Sequence, residues 1–132
     1  MLKVLIADDH EFIRQGIKLI LREEYPLAHF EEAEDADSLI SKASAGNWDI
    51  ILSDISMPGG GGIHALEELS RQELRIPVLI VSMFPEEQYA LRVRKAGAVG
   101  YITKDTVNEN LVNAVQAVLA GQDYFSDSIA KI

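Results

Sequence analysis

"IILSDISMPGGGG", residues 50–62, is an apolar run that ends in an aspartate and then opens into four glycines. A continuous run such as Ile50-Ile51-Leu52 suits a strand covered on both faces, as in a parallel sheet; a strand with one wet face would alternate. Comparable runs lie at Leu2 to Ala7, Val78 to Val81 and Val99 to Ile102, with a weaker one over Ala28 to Ala33. Between them, apolar residues recur at helical spacing: Ile13, Ile17, Ile20 and Leu21; Ile63, Leu66 and Leu69; Leu111, Val115, Val118 and Leu119. That period marks the core-facing stripe of a helix. Five strand–helix units in succession predict an α/β fold, a (βα)5 doubly wound parallel sheet.

Local signals place the helix ends. Thr106 with Glu109 predicts a capping box at the start of the last helix, and Gly121 its stop. Pro85 before Glu86 and Glu87 suits a first turn, with acids at the positive end of the helix dipole. Gly46 and Gly97 are expected to end the second and fourth helices. Residues 1–121 read as one domain, and 122–132, "QDYFSDSIAKI", as a tail or the start of a linker to a domain outside this chain. Tyr124 and Phe125 are expected to pack back onto the last helix.

At 132 residues and 48% hydrophobic, the chain suits a single buried core. It has no cysteine, so neither disulfides nor a thiolate metal site is available. With no basic leader and no membrane-length apolar run, the reading is cytoplasmic, without a membrane partner. A net charge of −9 argues against a duplex-binding surface on these residues, because such surfaces neutralise phosphates with Lys and Arg. Basic residues are scattered, Arg71 and Arg75 in one region and Arg92, Arg94 and Lys95 in another. The second group reads as a solvated helix face or a partner-facing patch.

In an open parallel sheet, ligands bind beyond the carboxyl ends of the strands. The first run ends in Asp8-Asp9, the third in Asp54, the fourth in Ser82 and the fifth in "GYITKD", which carries Lys104. Each acid also has a local explanation: Asp9 as a helix cap, Asp8 as a turn stabiliser, Asp54 in an Asx-turn before Met57-Pro58. Together, however, three carboxylates at one edge repel one another unless a cation sits among them. Oxygen ligands alone suit a hard ion that keeps several waters, which points to Mg2+. A carboxylate beside Mg2+ can attack phosphorus to give an acyl phosphate, with an ammonium and a hydroxyl holding phosphoryl oxygens. Lys104 and Ser82 are placed for those tasks. His10, His29 and His64 are dispersed without metal-ligand spacing, and only His10 adjoins the acids.

On "KVLIADDH", "SDISMPGGGG", Ser82 and "GYITKD", the chain resembles the receiver (CheY-like) domain of bacterial two-component response regulators, over essentially its whole length. "IADDHEFIRQGIKLIL" and "SMFPEEQYALRVRKAGAVGYITKD" look most like the NarL/FixJ subfamily, whose members usually carry a C-terminal LuxR-type helix-turn-helix. The resemblance implies a CheY-like sheet of strand order 2-1-3-4-5 and a signalling phosphoacceptor with intrinsic phosphotransfer and autodephosphorylation chemistry. Residue by residue, it implies Asp54 as phosphoacceptor, with Asp8, Asp9, Asp54 and the main-chain carbonyl of Ser56 around Mg2+. Ser82 and Lys104 would hold the phosphoryl group, and Tyr101 would turn inward when Ser82 moves toward it. Ser56 and Phe84 lie where family members tune hydrolytic water. The implied partners are a sensor histidine kinase as donor, a second copy in a phosphorylated homodimer, and DNA only through a C-terminal domain outside this chain.

The match has departures. Ser82 stands where threonine is common, which keeps the hydroxyl and loosens its rotamer. Asp105 follows Lys104 where many receivers have proline, so the geometry of that peptide is open. Rival readings fit less well. An aspartate-nucleophile phosphohydrolase of the haloacid-dehalogenase type needs two acids one residue apart after the first strand, where Asp8 and Asp9 are adjacent. A flavodoxin-like cofactor binder needs a hydroxyl- and glycine-rich loop where this chain has "DDHEFIR". A pseudo-receiver that only binds partners conflicts with the intact acid, hydroxyl and lysine set. The glycines at 59–62 match no nucleotide-binding fingerprint and read as a turn that clears Asp54.

Overall fold

The strands form where the apolar runs lie: β1 (Lys3–Ala7), β2 (His29–Ala33), β3 (Ile50–Ser53), β4 (Val78–Ser82) and β5 (Gly100–Thr103). Helices α1 (Glu11–Glu24), α2 (Ala36–Ala45), α3 (Gly61–Arg71), α4 (Glu86–Ala96) and α5 (Val107–Leu119) alternate with them, and a short α6 (Asp127–Ala130) follows. This computed structural model describes residues 1–132. All neighbouring strands run parallel, in the order β2-β1-β3-β4-β5. β1 is therefore flanked by β2 on one side and β3 on the other, and the crevice at their carboxyl ends is where an open α/β sheet binds ligands.

Period-two alternation sorts each strand between two cores. Val4 and Ile6 of β1, with Ile50, Leu52, Leu79 and Val81, meet Ile17 and Leu21 of α1 and Leu111 and Val115 of α5. Leu5, Ile51 and Ile80 face the other way, toward Leu39 of α2, Leu66 of α3 and Val93 of α4. Burying each such side chain contributes roughly 1.5–3 kcal/mol, so the central strands are held from both faces. β2 is one of the two edge strands, and its exposure alternates along His29–Ala33, which explains its weak apolar signal. No helix is long and apolar enough to cross a membrane.

Two helix-end expectations need correction. Thr106 precedes α5 but makes no side-chain cap. Its hydroxyl turns back, donating to the Thr103 carbonyl at 3.2 Å and pairing with the Thr103 hydroxyl at 3.0 Å. A 3-10 turn over Lys104–Thr106 runs directly into α5, leaving Thr106 at φ −111°, ψ 12° rather than the extended conformation of a capping residue. Leu119, assigned to the core stripe, is 38% exposed at the last turn. A side-chain N-cap forms instead at a different helix: Asp35 accepts the Ser38 N–H at 2.7 Å and opens α2. Gly97 and Gly121 close α4 and α5 at positive φ, with the Ala98 N–H reaching Val93 and the Gln122 N–H reaching Ala117, the paired closure that satisfies last-turn carbonyls.

Residues 122–132 dock against the sheet. The Tyr124 N–H donates to the Val99 carbonyl at 2.8 Å, and the Tyr101 N–H to the Tyr124 carbonyl at 3.0 Å, so the tail pairs with the outer edge of β5. Tyr124 packs on the α5 side and Phe125 on the α4 side of the sheet. Ile129 of α6 is buried against α4, and Arg94 donates to its carbonyl at 2.7 Å. One member of the basic group on α4 therefore serves the tail rather than solvent.

Candidate functional site

The acids are delivered by strand geometry. The Asp8 and Asp54 N–H groups bond the carbonyls of Ala33 and Ala7 at 3.0 and 2.9 Å, which extends the β1–β2 and β3–β1 ladders one residue past the strands. Both side chains then enter the same crevice, 2% and 4% exposed. Lys104, reaching in after β5, places its ammonium 2.8 Å from Asp8 Oδ2 and 3.0 Å from Asp54 Oδ2. The other oxygen of each acid is also held: Asp54 Oδ1 accepts the Ile55 N–H at 2.7 Å, and Asp8 Oδ1 the His10 N–H at 2.9 Å.

Asp9 is exposed. Its carboxylate shares the His10 imidazole with Asp8, each 3.1 Å from Nδ1. One ligand atom from each of Asp8, Asp9, His10 and Asp54 falls within a 4.8 Å cluster. Three carboxylates so close suit a hard divalent cation. The Ser56 main-chain carbonyl accepts no hydrogen bond within the chain, which leaves it free as a further oxygen.

Burial pushes the Asp54 carboxyl above its ordinary value, against the Lys104 hydrogen bond and charge, which pull it down, and with the Asp8 charge adding to the rise. Burial works to lower the Lys104 ammonium, but hydrogen bonds and charges from Asp8 and Asp54 outweigh it, and the net shift is upward. A carboxyl raised on folding supports the fold while protonated and opposes it once pH climbs past its folded value. Asp54→Asn, which can still accept the Ile55 N–H, is therefore expected to be more stable than wild type at neutral pH without metal. The gap closes in acid. Urea unfolding across pH checks this, and a wild type more stable than the variant at neutral pH contradicts it.

Ser82 is fully buried at the end of β4, and its hydroxyl accepts the Phe84 N–H at 3.1 Å. The Phe84 carbonyl in turn accepts the Tyr101 hydroxyl at 2.8 Å. Tyr101 is only 3% exposed, so it already stands inward here, and burial raises its hydroxyl pKa. The Phe84 ring packs on Tyr89 with centroids 5.0 Å apart. Every peptide bond is trans, Lys104-Asp105 included.

The glycine tract does more than clear the acid. Gly59, Gly60 and Gly61 all have positive φ, and a Cβ on Gly62 would lie 2.0 Å from the Asp54 carbonyl oxygen. The first turn of α3 is thus pressed directly against the backbone that carries Asp54. The other feature absent from the strand-end reading is Arg14, 5% exposed on α1, which donates to the Asp8 carbonyl at 2.7 Å. Its sequence signal is a charge on the face shared by Ile17 and Leu21, where an apolar residue is expected.

Residues 4–116 match the family model described as response regulator receiver domain. The response regulator GacA of Pseudomonas aeruginosa is 37% identical over 131 residues, covering 99% of this chain and 61% of that protein. UvrY of Escherichia coli is 31% identical over 131 residues, covering 99% of this chain and 60% of that protein. The chain thus spans about three fifths of the length of the curated relatives it matches. A crystal structure of a LuxR-family two-component response regulator from Aurantimonas sp. SI85-9A1 superposes with a TM-score of 0.86 at 33% identity, covering 98% of this chain and 92% of that one.

Proposed function

Because the chain belongs to the response regulator receiver domain family, with NarL/FixJ-type regulators among its relatives, we propose that Asp54 is its phosphoacceptor and a sensor histidine kinase its donor. The observation that carries this reading is the convergence of Lys104 on Asp8 and Asp54 at 2.8 and 3.0 Å, which gathers nucleophile, metal-binding acid and phosphoryl-binding cation in one crevice. In the transfer, an ionised Asp54 oxygen attacks the phosphorus of a phosphohistidine. The O–P bond forms as the N–P bond breaks, and the imidazole departs with the electron pair and takes up a proton. Lys104 exchanges its contact with Asp54 for a phosphoryl oxygen, and Ser82 turns its hydroxyl from the Phe84 N–H to another.

Asp8, Asp9, Asp54 and the Ser56 carbonyl would hold Mg2+, an assignment supported by the clustered carboxylate oxygens. When bound, Mg2+ supplies neutralising charge for the transferred phosphoryl group. With such a cation in place, the His10 imidazole would no longer bridge Asp8 and Asp9. By the family pattern, Ser56, two residues after Asp54, and Phe84, two residues after Ser82, would set how water reaches the acyl phosphate, which the domain would hydrolyse itself.

The switch runs through hydrogen bonds. Once Ser82 leaves the Phe84 N–H, the segment whose carbonyl holds Tyr101 inward loses one of its ties. The surface of α4, β5 and α5 then changes its balance of two states, and a homodimer forms on phosphorylation. Residues 1–121 act as the switch body, with 122–132 leading toward a helix-turn-helix outside these residues that controls transcription in the cytoplasm. The test is thermal unfolding with Mg2+ and beryllofluoride, wild type beside Asp54→Ala. Wild type is expected to gain several degrees while the variant gains none; an equal response, or none from either, sinks the assignment and leaves a partner-binding module.

A further inference from the structure

Arg14 lies outside the phosphoryl chemistry, yet its environment is unusual for a helix residue. α1 buries Arg14, Ile17 and Leu21 on one face, and only the first carries a charge. Taking a guanidinium out of water is costly, and a well-packed apolar residue at such a site is often as stable or more so. Stability alone therefore does not account for an arginine here.

Its contacts show what the guanidinium does. Nη1 donates to the Asp8 carbonyl at 2.7 Å and Nε to Glu32 Oε1 at 2.7 Å, while Glu34 is a longer contact at 3.5 Å. Lys18 holds the other Glu32 oxygen at 2.8 Å, and the Lys18 hydrogen bond, followed by that of Arg14, keeps the Glu32 carboxyl below its ordinary value. The guanidinium thus spans from β2 to the peptide between Asp8 and Asp9. That peptide is planar, so fixing its carbonyl fixes the direction in which the chain carries Asp9. The N–H of Asp8 is held by Ala33, and Arg14 supplies the complementary hold on the carbonyl.

We propose that Arg14 is a positioning residue for the cation-binding pair: through the Asp8-Asp9 peptide it sets where the two carboxylates stand relative to Asp54. The proposal rests on the reading of those acids as Mg2+ ligands. Lysine cannot replace the fork, because an ammonium is a point charge that serves Asp8 or Glu32 and not both in this geometry. Loss of an outer-shell partner typically weakens metal affinity by about 10–100-fold.

The experiment is calorimetric titration of Mg2+ into the full chain as wild type, Arg14→Lys and Leu39→Ala, with amide hydrogen exchange at His10 recorded in metal-free protein. Leu39 is 1% exposed in α2 on the opposite face of the sheet, so its truncation destabilises without touching the acid loop. Arg14→Lys is expected to bind Mg2+ about tenfold more weakly and to exchange the His10 amide faster. Leu39→Ala is expected to bind as wild type does. Wild-type affinity in Arg14→Lys, or equal weakening in Leu39→Ala, overturns the positioning role. If wild type itself binds no Mg2+, the cation reading fails. His10 exchange then judges the hold on the loop: faster exchange in Arg14→Lys alone supports it, and unchanged exchange overturns it.

Discussion

Lys104→Ala is expected to lose about 3 kcal/mol of folding stability at neutral pH in the absence of metal, near the low end of the cost of breaking a buried ion pair. The same variant is expected to accept phosphoryl groups from a small donor roughly a hundredfold to a thousandfold more slowly, the range seen when one donor to a developing oxyanion is removed. Both effects come from one geometry. The ammonium lies between two carboxylates that are nearly inaccessible to water, 2.8 Å from Asp8 and 3.0 Å from Asp54, so alanine leaves like charges facing each other. The sign of the pH dependence follows. Lys104, raised on folding, contributes stability that is fully present at neutral pH and is lost only as alkali deprotonates it. Asp54, also raised, protonates early in acid and relieves the repulsion. The stability gap between wild type and variant is therefore widest around neutrality and narrows on both sides. Millimolar Mg2+ narrows it too, because the cation replaces the missing charge. Urea unfolding against pH, with and without Mg2+, measures all of this, and a gap that is flat with pH would contradict the account.

Gly62→Ala is expected to cost about 3 kcal/mol or more, at or above the usual range for overpacking. The added methyl would sit 2.0 Å from the Asp54 carbonyl oxygen and 3.1 Å from Ile55 Cα. These are backbone atoms and cannot swing aside as a side chain would. The Gly62 N–H also donates to the Ile55 carbonyl at 2.7 Å, which ties the first turn of α3 to the segment that must move. Relief comes only by displacing α3 from the end of β3, and with it Asp54, so phosphoryl acceptance falls as well. Gly16 is the matched control: nothing lies within 4 Å of a Cβ there. In the interior of α1, Gly16→Ala is expected to gain about 0.5–1 kcal/mol from the lower backbone entropy of alanine in the unfolded chain. Equal unfolding midpoints for the two variants would remove the close approach from the account.

The parts of the site that could be read from the chain are those delivered by periodicity. Asp8, Asp54 and Ser82 terminate apolar runs, and strand ends in a parallel sheet converge on one edge, so their proximity followed from the order of elements. Lys104 followed likewise from the end of the fifth run. Arg14 escaped because its partners, the Asp8 carbonyl and Glu32, come together only once α1 packs beside β2, and β2 is an edge strand with two glutamates. Gly62 was legible as permissive backbone, but the need for a missing Cβ arises from the approach of α3 to β3, a tertiary distance. Thr106 carried the local signature of a cap and lost that role to a 3-10 turn. The pairing of Tyr124 with β5 came from an unfilled sheet edge, a property of the assembled sheet and not of the tail.

In the proposed function Asp54 carries the phosphoryl group. Treating the chain with a small phosphodonor and Mg2+, reducing the product with borohydride and sequencing the peptides by mass spectrometry tests it most directly, because an aspartyl phosphate is converted to homoserine at the residue that bore it. Homoserine is expected at position 54 and at no other acid, and is absent when Mg2+ is omitted. Homoserine at position 8 or 9, or none anywhere, would overturn the assignment of Asp54 as phosphoacceptor.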